Sequence, residues 1–199
     1  LIGMVRGSIQ TFTRDITAAV LEFWDNAGVL EQILSLVEDL SHALQDRLRP
    51  HLQKLLPRIL DVLHNDRSPG RRVALRMLDT VLVLARNRNL DTFLSSVLPT
   101  LTWLCEKKDH PQAVLESAVS VLRVLCESSQ IGNYAARVFH PLARLAARHN
   151  ALQPRVLDTI SALMDSLGRA FLVHVPMVAS LVASCREVQD RDVTRRYVR

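Results

Sequence analysis

Pro111-Gln112-Ala113-Val114-Leu115-Glu116-Ser117-Ala118-Val119-Ser120-Val121-Leu122-Arg123-Val124-Leu125-Cys126 is the stretch on which the fold turns. Val114, Ala118, Leu122 and Leu125 stand at offsets zero, four, eight and eleven. That spacing traces one face of a helix, where a strand would alternate every second residue. The same frame recurs upstream as Val73, Met77, Val81 and Leu84, and downstream as Val156, Ile160, Met164 and Leu167. An earlier window, Ile33, Val37, Ser41 and Leu44, fits it as well.

Between these windows lie apolar helical stretches that each contain a proline: Pro57, Pro99, Pro141 and Pro176, spaced by 42, 42 and 35 residues. A proline inside a helix removes one backbone hydrogen bond and clashes with the preceding turn, so its recurrence predicts a bent first helix in each pair. The punctuation agrees. Ser68 ahead of Pro69 reads as an N-cap, Pro111 and Pro154 open the next second helices, and Gly168 supplies a positive-φ stop. The pattern predicts a helix over 1–9 and pairs over 11–25/29–45, 50–64/70–86, 90–107/111–127, 133–148/154–167 and 170–185/190–199.

A period of about 40 residues in which each helix pair buries its stripe only against its neighbours is the signature of a solenoid. The expected fold is therefore all-α, a right-handed superhelix of antiparallel helix pairs. Residues 1–199 are expected to form one array truncated at both ends, with approximate units 11–46, 47–88, 89–131, 132–168 and a partial 169–199.

Composition fits an ordered chain. At 199 residues and 48% apolar content it can build a core without disulfide or metal staples. Cys105, Cys126 and Cys185 are odd in number and widely spaced, which argues against a disulfide framework or a zinc knuckle and for a reducing compartment. Each sits at an apolar helical position and reads as a small buried hydrophobe. Trp24 and Trp103 follow apolar faces and read as core. Phe171 to Cys185 is apolar nearly all round, so it reads as buried between repeats or as a surface docked by a partner. At 15 residues, with His174 and Pro176 inside, it is shorter than the roughly 20 residues that span a bilayer, and no transmembrane segment is expected.

The net charge of +5 invites a nucleic-acid reading, but the arginines are scattered and the aromatics too few to interleave with them as stacking platforms. The dense tail from Arg186 through Arg191, Arg195 and Arg196 to Arg199 reads as a solvated helix face. No catalytic, cofactor-binding or metal-binding residue is expected. Gly3, Gly7, Gly28, Gly70, Gly132 and Gly168 never cluster into a phosphate-cradling loop, and Asp190-Arg191-Asp192 lacks the downstream asparagine of a kinase catalytic loop. Glu38 and His42 stand four apart on one helix, yet no matching ligand pair offers itself elsewhere. His140 reads as a helix-face residue touching the neighbouring repeat.

Several blocks carry a resemblance. Leu55-Leu56-Pro57-Arg58-Ile59-Leu60 with Asn65-Asp66-Arg67-Ser68-Pro69-Gly70-Arg71, then Asn133-Tyr134-Ala135-Ala136-Arg137-Val138-Phe139-His140-Pro141-Leu142, and Leu157-Asp158-Thr159-Ile160-Ser161-Ala162-Leu163 leading to Val175-Pro176-Met177-Val178, resemble the central HEAT repeats of the target of rapamycin (TOR) kinases. Leu21-Glu22-Phe23-Trp24 matches the same family near the start. The resemblance implies a non-catalytic scaffold segment of a serine/threonine protein kinase of the phosphatidylinositol-3-kinase-related group. ATP and magnesium would be used in a kinase domain elsewhere in the parent chain, and none would be bound here. It further implies protein subunits of a TOR complex as partners, homodimerisation through the parent HEAT region, a role in growth and nutrient signalling, and a cytoplasmic location with membrane association through the parent complex. Two other readings stay open. A nuclear transport receptor would show acidic inner-helix ridges, and a nucleic-acid-associated HEAT protein would gather its arginines on one concave surface.

Overall fold

The computed structural model describes residues 9–26, 28–127 and 131–184, and among them every regular element is helical. They fall into two compact units, residues 1–90 and 91–199.

The first unit holds α1 (Ile9–Phe23), α2 (Leu30–Leu44), α3 (Arg49–Asn65) and α4 (Arg72–Arg86). α1 packs on α2 and α3 on α4, while α1 also meets α3 and α2 meets α4. First helices thus make one layer and second helices the other, the two-layer stacking of an α-solenoid. Leu34, Val37 and Leu40 of α2, Leu52, Leu55 and Ile59 of α3, and Met77, Val81 and Leu84 of α4 are buried between the layers. Each such side chain contributes about 1.5–3 kcal/mol relative to exposure.

The second unit repeats the scheme with α5 (Leu94–Glu106), α6 (Gln112–Cys126), α7 (Ala135–Arg148), α8 (Gln153–Leu167) and α9 (Val175–Ser184). α5 packs on α6 and α7 on α8; α5 meets α7, α7 meets α9, and α6 meets α8. The chain is an all-α solenoid of helix pairs. The expected pairs fall within a few residues of those observed; the expected helix 190–199, and all but the last residue of the helix 1–9, lie outside the described residues.

Burial fixes the repeat register. Shifting Ala74, Met77, Leu78, Thr80, Val81, Leu84 and Ala85 of α4 by 41 positions lands on Leu115, Ala118, Val119, Val121, Leu122, Leu125 and Cys126 of α6, and every one of these is buried. The step to α8 is shorter than expected. Val114, Ala118, Leu122 and Leu125 correspond to Leu152, Val156, Ile160 and Leu163, a shift of 38, and all eight are buried. Met164 and Leu167, expected at the eighth and eleventh offsets, are only half-buried. Four residues advance a helix by one turn plus about 40°, so stripes one turn apart almost share a face, and only burial separates them.

Two local readings also change. Pro57, Pro99 and Pro141 do lie inside α3, α5 and α7, but Gly168–His174 forms a 3-10 run and α9 begins at Val175. Pro176 is therefore the second residue of its helix, where the missing N–H has no partner to lose. Ser68 stands at the N-cap position of a 3-10 turn, Pro69–Arg71, and not directly ahead of α4, although its Oγ accepts from the backbone N–H of Val73 in α4 at 3.4 Å. Gly70 and Arg71 both take positive φ, 65° and 52°, and α4 starts only at Arg72. The Asp66 carboxylate supplies the shorter cap, accepting from the backbone N–H of Ala74 at 2.8 Å while its other oxygen accepts from that of Ser68 at 2.8 Å. Gly168 does stop α8, with φ 51° and its N–H bonded to the Met164 carbonyl.

Arginines reach back from one repeat to the previous one. Arg58 pairs with Asp25 at 2.8 Å and Arg76 with Glu38 at 2.9 Å in the first unit. Arg144 pairs with Glu106, and Arg155 with Glu116 at 3.6 Å, in the second. Being largely exposed, such pairs contribute at most about 1 kcal/mol each, and they act mainly on register.

Candidate functional site

In the second unit α7 presents a row of basic side chains on its outward face. Helical spacing puts Ala135, Val138, Phe139, Leu142 and Leu145 into the core and leaves Arg137, His140 and Arg144 exposed on the opposite side. Two grooves flank that ridge. One, of about 410 Å³, runs between α5 and α7 past Pro99, Thr102, Tyr134 and Arg137; the other, of about 470 Å³, runs between α7 and α9 past Ala147, Met177 and Ser180. His140 and Arg144 line both.

The rim of the first groove is held by α7. Arg148 donates to the backbone carbonyls of Cys105 at 2.6 Å and Glu106 at 2.8 Å, which places a cation at the negative end of α5 and satisfies carbonyls that the helix itself leaves open. Arg144 holds the Glu106 carboxylate. Arg137 makes no ion pair among the described residues. From Ile131 to Leu157 the sequence contains no Asp or Glu at all.

A third groove of about 410 Å³ lies between α6 and α8 and has the opposite character, with Glu127, Asp158 and Asp165 against a single Arg123. Arg123 is already within 3.5 Å of Glu127. Within this unit, cations collect on the first-helix face and carboxylates between the second helices.

Sequence-derived candidates fall as follows. Glu38 is engaged by Arg76 and His42 is exposed; among the described residues no three His, Cys, Asp or Glu side chains converge for a metal. Cys105 and Cys126 are buried, and burial pushes both thiols up to about 12. Trp24 is buried. Trp103 is only half-buried, since its ring stands edge-on to His110 at 5.5 Å and lies under the Lys107 ammonium at 5.2 Å, tying down the turn between α5 and α6. His140 is exposed in the grooves. Phe171 is buried, but Leu172 is 69% and Val173 79% exposed, so this stretch is not simply enclosed between repeats. Asn150–Ala183 is long and apolar enough, by length and composition alone, to cross a membrane, but it is interrupted at Gly168 and its first half is α8, packed on α6. Asp190-Arg191-Asp192, Cys185 and the basic tail lie outside the described residues. Scattered along the sequence, Arg137 and Arg144 do not announce this ridge; the carboxylate-free stretch around them is the sequence signal that marks it.

No family model matches the chain. Over 179 residues it is 30% identical to the serine/threonine-protein kinase mTor of Drosophila melanogaster, a match covering 89% of this chain and 7% of that protein. It is 26% identical over 186 residues to serine/threonine-protein kinase tor1 of Schizosaccharomyces pombe, and 26% over 196 residues to serine/threonine-protein kinase TOR of Arabidopsis thaliana, covering 92% and 94% of this chain and 8% of each relative. Its homologues are TOR kinases. The chain spans under a tenth of the length of the TOR proteins it matches, outside their kinase domain. Among solved structures it is similar to Kap121p, with a TM-score of 0.72 and 14% identity over 95% of this chain and 19% of that one. That likeness carries the α-solenoid fold alone.

Proposed function

We propose that this chain is a non-catalytic scaffold segment of a TOR-like serine/threonine protein kinase. One observation carries the reading: the match to TOR kinases takes in 89% of the chain but 7% of the Drosophila protein, and the matched stretch is built of helix-pair repeats. A solenoid offers side-chain rows at a fixed step, which suits the holding of partners. Phosphoryl transfer instead asks for a lysine, bound magnesium and an aspartate in register, and in this reading they belong to a kinase domain elsewhere in the parent chain together with ATP. The partners are protein subunits of a TOR complex and a second copy of the parent through its HEAT region. The setting is cytoplasmic growth and nutrient signalling, with membrane association through the parent complex.

Competition tests this. The 199-residue chain, expressed in excess in cells that contain the parent kinase, is expected to displace accessory subunits, so that less of them co-purifies with the parent. Unchanged subunit and dimer content at high excess would overturn the reading.

A further inference from the structure

We propose that the groove between α5 and α7 is a docking site for an acidic, amphipathic peptide segment of a partner protein. The proposal rests on the scaffold reading and assigns it a surface and a partner chemistry.

Shape and charge both point to this occupant. The groove floor is apolar, with Leu98 and Pro141 buried beneath the exposed Pro99 and the half-buried ring of Tyr134. Prolines and an aromatic ring offer rigid surface that loses little conformational freedom when covered. The rim is cationic. Arg137 is exposed with no carboxylate partner among the described residues, and Arg144 and Arg148 lie further along the same helix. Glu106, the one carboxylate lining the groove, is already held by Arg144. Arg148 donates to the carbonyls of Cys105 and Glu106 on α5 and of Arg144 on α7, and makes no ion pair among the described residues. Lys107, Lys108 and Asp109 follow α5 in sequence and add one more net positive charge. α7 and α9 carry no Asp or Glu, and the two carboxylates of α8, Asp158 and Asp165, line the groove between α6 and α8 instead. A basic peptide would face like charge along the rim. An uncharged apolar segment would leave Arg137 unpaired against it, whereas one with alternating apolar and acidic side chains fills the floor and pairs the rim.

The experiment is selection of peptides from a random 16-residue display library on the purified 199-residue chain, followed by affinity measurement with the synthetic winners. Enriched peptides are expected to combine Asp or Glu with Leu, Phe or Met, and to lose affinity as salt rises. On Arg137→Glu they should bind at least about tenfold more weakly, with Arg137→Gln intermediate. Arg123→Glu, in the groove of opposite character between α6 and α8, should leave binding unchanged. Because Arg137 is exposed and makes no ion pair among the described residues, its two variants should unfold at the parent temperature. No enriched peptide, winners without carboxylates, or winners indifferent to Arg137→Glu would overturn the site. A chain that still displaces subunits in the competition assay would then keep the scaffold reading and locate its contacts elsewhere.

Discussion

The carboxamide of Asn89 donates to the backbone carbonyl of Gln45 at 2.6 Å, tying the residue that ends α2 to the turn after α4. Asn89 is buried, and Gln45 stands at φ 49°, ψ −121°, nearly the geometry of Gly168 after α8 at φ 51°, ψ −126°. One helix stop uses glycine and the other a glutamine, for which this backbone costs about 1–3 kcal/mol. Gln45→Gly should therefore raise stability by about 1 kcal/mol, part of the relief being offset by the greater freedom of glycine in the unfolded chain. Gly168→Ala should lower it by about 1–2 kcal/mol, and Asn89→Ala by about 1–3 kcal/mol because a bonded carbonyl loses its donor. Urea unfolding of the three variants measures each.

The repeat register makes its own prediction. Leu125→Ala and Leu163→Ala should each cost about 2–5 kcal/mol, since both side chains are buried at equivalent positions. Leu167→Ala, at a half-buried position, should cost under about 1.5 kcal/mol. Denaturant midpoints that rank Leu167 with Leu125 would restore the longer step to α8.

How far the sequence reveals this structure depends on the range of the interaction. Val114, Ala118, Leu122 and Leu125 betray their helix because the pattern is local, and Pro57, Pro99 and Pro141 mark first helices for the same reason. The Asp66 cap on α4 reaches eight residues along the chain and depends on two positive-φ residues, Gly70 and Arg71, one of which is an arginine that no propensity would place there. The shortened step to α8 is hidden because Val156 and Ile160 belong to both registers, and packing against α6 decides between them. The α7 ridge follows from helical spacing, but that Glu106 is consumed by Arg144 is a contact across 38 residues. The grooves become visible only once α5 and α7 are side by side.

The thiols of Cys105 and Cys126 should be silent in the native chain. With both described cysteines buried and their thiols raised to about 12, iodoacetamide at pH 8 should leave Cys105 and Cys126 unmodified in a Cys185→Ser background, as read by intact mass. Both should react once urea unfolds the chain.

Asp79 gives a pH signature. Partial desolvation, and secondly the Glu38 charge, raise its carboxyl above the ordinary value, and because the side chain is largely exposed the effect on stability is small. A raised carboxyl pKa means that the ionised form disfavours folding at neutral pH and that this cost vanishes on protonation. Asp79→Asn should therefore raise the melting temperature at pH 7, with the difference shrinking as pH falls through the carboxylate range. An increment that is constant from pH 7 to pH 3 would assign the effect to packing.

The scaffold account is tested most directly by peptide turnover in the full parent kinase after excision of the stretch corresponding to residues 94–134, one complete repeat from the start of α5 to the residue before α7. Removing it alters the step on which partner surfaces depend, while ATP, metal and acceptor stay positioned by the kinase domain. The account predicts turnover of a short generic peptide within about twofold of the intact enzyme, alongside loss of co-purifying subunits and of phosphorylation of recruited protein substrates. Loss of peptide turnover with the complex fully assembled would contradict it, because the segment would then support catalysis itself.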